Sequence, residues 1–254
     1  MFGRIAAFVY GVASYVVCLA AFAYAAGFLG NFAVPKSIDS GPQAPLAEAL
    51  LVNIGLIALF AVPHSVMARP WFKARWKRIV PEPVERSTYV LVSSILFLVM
   101  FWKWEPIGGV LVQVEAPIAR MSLTGMYIVG WALLLLSTFL INHFDLFGLR
   151  QVWFYLRGKK YTPLGFRTPW LYRYVRHPLY VGWFLVFWAT PVMTIAHLVF
   201  AVGTTAYIFI ALQYEERDLE RFHPEYARYR NQVPRFIPIG PRAKANEQLS
   251  AAGD

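Results

Sequence analysis

Tyr174 to Asp218 reads YVRHPLYVGWFLVFWATPVMTIAHLVFAVGTTAYIFIALQYEERD. From His177 to Tyr214, 38 residues pass without an Asp, Glu, Lys or Arg. Such a run belongs in hydrocarbon, where about 20 residues cross once as a helix. The run is long enough to enter and return, and Thr190-Pro191 near its middle removes a backbone donor and favours a break. A polar cluster closes each end: Arg176-His177-Pro178 before it, Glu215-Glu216-Arg217-Asp218 after it. A helical hairpin brings both clusters to one membrane face.

The rest of the chain reads the same way. It has 254 residues, 58% hydrophobic and 15% charged, with a mean hydropathy of +0.47. An ordinary soluble domain carries about 25% charge. Ile5 to Pro35 holds no charge; Ala23-Tyr24-Ala25 resembles a signal-peptidase site, but the run far exceeds a signal h-region of about 7–15 residues and reads as a retained anchor. Leu46–Val66, Ser87–Trp102 and Met121–Phe144 give three more spans. The expected fold is all-α: a polytopic integral-membrane bundle of about four spans plus the C-terminal hairpin. Residues 1–241 form one domain, and 242–254, small and polar, read as a disordered tail.

Charge placement orients the bundle. Of 24 Lys and Arg residues, 20 fall in 67–86, in 145–176 or after Glu215, and these segments alternate to one side. The positive-inside rule makes that side cytoplasmic, with both termini, provided the hairpin returns. The +10 formal charge is therefore topology and not a nucleic-acid footprint. Cys18, the one cysteine, excludes an intramolecular disulfide and a thiolate metal cluster.

Ionisable residues at membrane depth are functional candidates. On the basic side these are Pro63-His64-Ser65, Asn142-His143-Phe144-Asp145 with Gln151 beyond, and the two clusters flanking the hairpin. No phosphate-binding loop, dinucleotide fingerprint, H-E-x-x-H, G-x-S-x-G or zinc-ligand spacing occurs. His64 beside Pro63 could equally satisfy freed carbonyls, and His197 within the hairpin reads as structural. From residues alone, a haem- or quinone-binding protein using His64, His143 and His197 stays open. A transporter fits less well, because the polar clusters gather on one face and not at the midplane.

Arg176-His177-Pro178-x-Tyr180-x-Gly182, an apolar hairpin, Glu215-Glu216-x-x-Leu219, and Tyr226-x-x-Tyr229-x-x-x-Val233-Pro234 together resemble the isoprenylcysteine carboxyl methyltransferase superfamily of membrane enzymes. Upstream, His64 to Lys73, Glu85 to Tyr89 and Asn142 to Gln151 are similar to the branch of that superfamily that methylates methanethiol to dimethyl sulfide in bacteria. The resemblance implies a bacterial inner-membrane enzyme using S-adenosylmethionine, a cytoplasmic cofactor pocket within about residues 142–238, a small thiol and the bilayer as partners, and no obligatory protein partner. Carried over residue by residue, Arg176, His177, Pro178, Leu179 and Tyr180 line the cofactor from one side, Glu215 and Glu216 close the other, and Gln151 adds a polar group. His64 and His143 are the candidates to activate the thiol, with Tyr89 as hydrogen-bond partner; no motif decides between them. Methylation of a prenylcysteine or a lipid head group on the same fold is the neighbouring alternative.

Overall fold

The computed structural model describes residues 1–239; the expected tail at 242–254 lies outside them. In chain order the helices are α1 (Phe2–Gly30), α2 (Leu46–Ala68), α3 (Pro70–Trp76), α4 (Glu82–Lys103), α5 (Pro117–Ile141), α6 (His143–Leu146), α7 (Leu149–Leu156), α8 (Pro178–Trp188), α9 (Ile195–Phe222) and α10 (Glu225–Gln232). Strands β1 (Val110–Gln113) and β2 (Val192–Thr194) and a short 3-10 turn at Trp170–Arg173 complete the described residues. Five helices, α1, α2, α4, α5 and α9, are long and apolar enough to cross a membrane. Their outward faces carry exposed Val9, Leu51, Ile54, Val62, Ile128 and Leu135. A soluble monomer does not present that much contiguous apolar surface, so the chain is a multi-pass membrane protein.

Local chemistry sets the helix ends. α1 stops five residues short of the expected Pro35, because Asn31 turns left-handed (φ 56°) and donates its N–H to the Gly27 carbonyl. α4 starts at Glu82 and not at Ser87: Glu82 and Glu85 fall in the first turn, where acidic side chains oppose the helix dipole, and Pro83 suits that position. α5 ends at Ile141 and not at Phe144, since the Asn142 side chain accepts from the Asp145 N–H and opens α6.

The hairpin forms, with unequal arms. α8 has 11 residues, about 16 Å, roughly half of a 30 Å hydrocarbon core. The crossing is completed by extended chain through Ala189, Thr190 and Pro191 into β2, which pairs antiparallel with β1 (Val112 opposite Met193, Gln113 opposite Val192). Backbone groups freed by the short helix are thus bonded to other backbone, as the bilayer demands. This small sheet is absent from the sequence expectation. Thr194 then caps α9, accepting from the His197 N–H at 3.0 Å and donating to Asp39 Oδ1 at 2.5 Å. α9 runs 28 residues, about 42 Å, enough to return and project beyond the core.

An aromatic core joins the arms to the bundle. Phe28, Phe101, Trp104, Phe187 and Phe200 are buried together, with Phe28 and Phe101 centroids 4.5 Å apart. α8 packs on α5 where Gly182 meets Gly130: a methyl group at Gly182 would sit 2.9 Å from the Gly130 carbonyl oxygen and 3.0 Å from the Leu134 nitrogen. Small residues let helices approach this closely in a membrane. Because the obstacle is backbone, Gly182→Val should force α8 off α5 and cost about 1–3 kcal/mol. A lowered midpoint in detergent thermal unfolding checks this; an unchanged midpoint would mean the two helices have slack.

Candidate active site

The two ends of the charge-free run meet. Glu216, 3% exposed, accepts from Arg176 Nε at 3.2 Å and Nη2 at 2.9 Å, shares a 3.1 Å bond with His177 Nε2, and accepts from Arg235 Nη2 at 2.7 Å. Arg176 Nη1 donates to the carbonyls of Arg230 at 2.6 Å and Val233 at 2.7 Å, and the Arg176 and His177 N–H groups donate to Pro234 and Arg235 carbonyls. Residues 233–236 therefore form a strap folded back across the hairpin base, with Phe236 against Phe184 and Phe209. Arg176, His177 and Glu216 are brought together as expected, and their hydrogen-bonding capacity is largely taken by one another and by the strap. Beyond them, α10 seats Tyr226 and Tyr229 against Phe166; burial pushes both phenols up.

Glu215, the adjacent carboxylate, points elsewhere: its Oε2 accepts from Tyr180 at 2.5 Å. Tyr180 also lies within electrostatic reach of Tyr207 and Tyr89. Tyr89 bonds the His64 imidazole at 3.1–3.2 Å, and His64 Nδ1 shares a 3.0 Å bond with Ser93 Oγ. Tyr207 bonds Ser65 Oγ at 3.1 Å. His64, Tyr89, Tyr180 and Tyr207 are each partly buried. Arg69 pairs with Asp218 at 2.7 Å and lies over Tyr214. Pro178 occupies the first turn of α8, and Leu179 packs into the apolar core.

A second polar group lies on the α6–α7 corner. Asp145 accepts from Arg150 at 3.0 Å and from Tyr161 at 3.0 Å, and Gln151 Nε2 donates to the Asp145 carbonyl at 3.2 Å. Burial and the Asp145 carboxylate push the Tyr161 phenol up, keeping it a donor. Arg86 is within electrostatic reach of both Tyr161 and Tyr89, which links this group to the first. Among the described residues, Gln151 Oε1 and the Tyr226 hydroxyl are buried with no hydrogen-bond partner.

His143 does not join His64. It sits between Tyr15 (2.6 Å to Nε2) and Thr138 (2.8 Å to Nδ1), stacked on Phe139 at 4.2 Å, and burial pushes it below its ordinary value. His197 is fully buried against the Phe187 carbonyl at 2.9 Å. Each of the three histidines therefore has its own set of protein partners: Tyr89 and Ser93 for His64, Tyr15 and Thr138 for His143, and the Phe187 carbonyl for His197.

Sequence reading passed over Tyr207, Ser93 and the strap. The first two were visible as periodicity: Tyr207 lies eight residues before Glu215 and Ser93 four after Tyr89, each on its neighbour's helix face. The strap had no such signal, because its contacts are backbone carbonyls.

Removing one member of a buried ion pair strands the other, at a cost of about 3–5 kcal/mol. Glu216→Ala should therefore lower the thermal midpoint strongly, whereas Glu215→Ala, which leaves the strap intact, should not. Equal midpoints for the two variants would contradict the division between an anchoring and an open carboxylate.

The chain is 55% identical, over 91% of each chain, to a methanethiol S-methyltransferase of Crocosphaera subtropica. It is 50% identical to one of Mycobacterium tuberculosis over 91% of this chain and 95% of the other. More distantly, it is 28% identical to nurim of Sus scrofa over 75% of this chain. No family model matches the chain. No solved structure matches it either. At half the residues identical across nine-tenths of the length, the chain belongs to the methanethiol S-methyltransferase family.

Proposed function

We propose that the protein methylates methanethiol to dimethyl sulfide, using S-adenosylmethionine as methyl donor. The observation that carries this reading is a polar cluster in an otherwise apolar bundle: His64 bonded to Tyr89 and Ser93 and in ring contact with Tyr207, and Glu215, on the same helix as Tyr207, bonded to Tyr180. The substrate follows from the family, whose members at 50–55% identity are named for it.

The residues fit the donor. It carries a sulfonium, an ammonium, a carboxylate and a ribose diol. Glu215 gives one oxygen to Tyr180 and keeps the other for the ammonium or the diol. Among the described residues, Gln151 Oε1 and the Tyr226 hydroxyl are buried polar atoms without a hydrogen-bond partner, which native proteins seldom leave unmet. Tyrosine faces suit a sulfonium. In this reading Tyr180, Leu179 and Pro178 form one wall and Glu215 the other, while Arg176, His177 and Glu216 hold the wall in place through the strap. When bound, the donor supplies an electrophilic methyl group, whose bond to the sulfonium sulfur breaks as the thiolate sulfur bonds to carbon.

The chain's own part is to make the thiolate and keep water out. An alkyl thiol is mostly protonated at neutral pH, and thiolate is the nucleophile. His64 takes the thiol proton on a ring nitrogen, with Ser93 and Tyr89 holding the imidazole by its edges. Charge disappears as thiolate meets sulfonium, so a dry aromatic space favours the step. His143 instead joins α1, α5 and α6 through its bonds to Tyr15 and Thr138, away from Tyr89 and Glu215.

The basic face is read as cytoplasmic and the membrane as the bacterial inner membrane, from the charge asymmetry and the bacterial relatives. A cysteine placed at position 75 should then react with membrane-impermeant reagents only after cell lysis; labelling in intact cells would reverse the orientation.

Purified protein given S-adenosylmethionine with a labelled methyl group and methanethiol should release labelled dimethyl sulfide. No labelled product across a panel of small thiols would remove the reading. His64→Ala should cut turnover by about 10²–10⁴-fold, the range for a lost general base. Part of that loss should return at high pH, where thiolate forms unaided, and donor affinity should hold. Glu215→Ala should instead weaken donor binding by about 1.5–3 kcal/mol in calorimetry. Near wild-type turnover for His64→Ala at every pH would leave His64 a helix-end residue.

A further inference from the structure

His64 stands on an aromatic floor. On α2, Phe60 and His64 are four residues apart and share a face; on α4, Tyr89, Ser93 and Phe97 do the same. The C-terminal end of α2 and the N-terminal end of α4 both lie toward the basic side, so the two stripes run antiparallel. The polar pairings of His64 with Tyr89 and Ser93 face that side, and the aromatic pairing of Phe60 with Phe97 lies one turn deeper. Phe60 stacks on the imidazole (centroids 5.1 Å apart, 22° between planes), meets Phe97 at 5.1 Å and meets Tyr207 edge-on at 6.1 Å. Phe97 is backed in turn by Phe101 at 4.3 Å and Trp183 at 6.4 Å. This floor has no slack, because each ring rests on another ring of the core.

We propose that Phe60, supported by Phe97, limits the substrate to the shortest alkyl thiols. The inference rests on the reading of His64 as the group that meets the thiol. With sulfur held at the imidazole edge, the substrate carbon lies beside the Phe60 ring. A methyl group asks least room of this floor, while a longer chain has to displace a ring packed against other rings. No polar group on this floor distinguishes one thiol from another, so discrimination is by length alone.

The test is a ratio of specificities. Wild type, Phe60→Ala and Phe60→Leu are assayed with labelled S-adenosylmethionine against methanethiol, ethanethiol and 1-propanethiol. The ratio of kcat/KM for 1-propanethiol to that for methanethiol is independent of how much of each preparation is folded. It should rise by at least about 10-fold in Phe60→Ala, since one methylene alone gives about 10–200-fold discrimination in an apolar pocket and 1-propanethiol adds two, and by less in Phe60→Leu. Should the alanine variant fail to fold, Phe60→Leu and Phe97→Leu carry the test, each with a smaller rise. A wild type that methylates 1-propanethiol as well as methanethiol overturns the inference, as does an unshifted ratio in the variants. A wild type that methylates no thiol at all overturns the functional reading beneath it as well.

Discussion

Everything on the basic face depends on one buried carboxylate. Glu216 collects two guanidinium groups and an imidazole: Arg176 and His177 precede the hairpin, and Arg235 lies nineteen residues beyond Glu216 itself. A carboxylate this well buried is stable only with such company. The requirement works in both directions. It forces the chain to come back to the face it left, and it fixes the strap across the hairpin base. Arg176 extends the same network into the backbone of the strap through its remaining amine. Glu215, one residue earlier on α9, is thereby aimed at Tyr180 and the interior of the bundle.

The bilayer supplies the second constraint. Hydrocarbon tolerates no unpaired backbone, so the shortened α8 must hand its crossing to a strand that finds a partner, and β1 provides it. That arrangement has a consequence for the site. A full helix in place of α8 would carry its N-terminus and the Tyr180 side chain elsewhere along the hairpin axis. With the half-length helix pinned to α5 at the Gly182–Gly130 crossing, Tyr180 stands level with Glu215. The aromatic lining then has two roles in the proposed chemistry, excluding water from a charge-cancelling transfer and offering ring faces to a cation.

Much of this was legible in the chain. A charge-free stretch flanked by Arg176-His177 and Glu215-Glu216 announces a return, and the basic loops announce the same face for both ends. The spans at Leu46 and Ser87 fall within a few residues of α2 and α4, because lipid-facing helices are written in composition. What stayed hidden depends on who pairs with whom. Sequence offers His64 and His143 as equals; only tertiary contacts give His64 the company of Tyr89, Ser93 and Tyr207, and His143 that of Tyr15 and Thr138. The two adjacent glutamates look interchangeable until the strap engages one of them. Tyr207 resembles any interfacial tyrosine until its bond to Ser65 and its ring contacts with Phe60 and His64 set it beside the imidazole.

The central claim is that the donor lies between the base of α8 and the end of α9, against Tyr180 and Glu215. An experimental structure of the protein with S-adenosylhomocysteine bound tests it most directly. The account predicts the ligand in contact with Tyr180 and Glu215, its sulfur turned toward the Tyr89–His64 side, and the Arg176–Glu216 pair intact beneath it. A ligand held on the opposite face of the bundle, or one that breaks the Arg176–Glu216 pair to bind either residue directly, would contradict it.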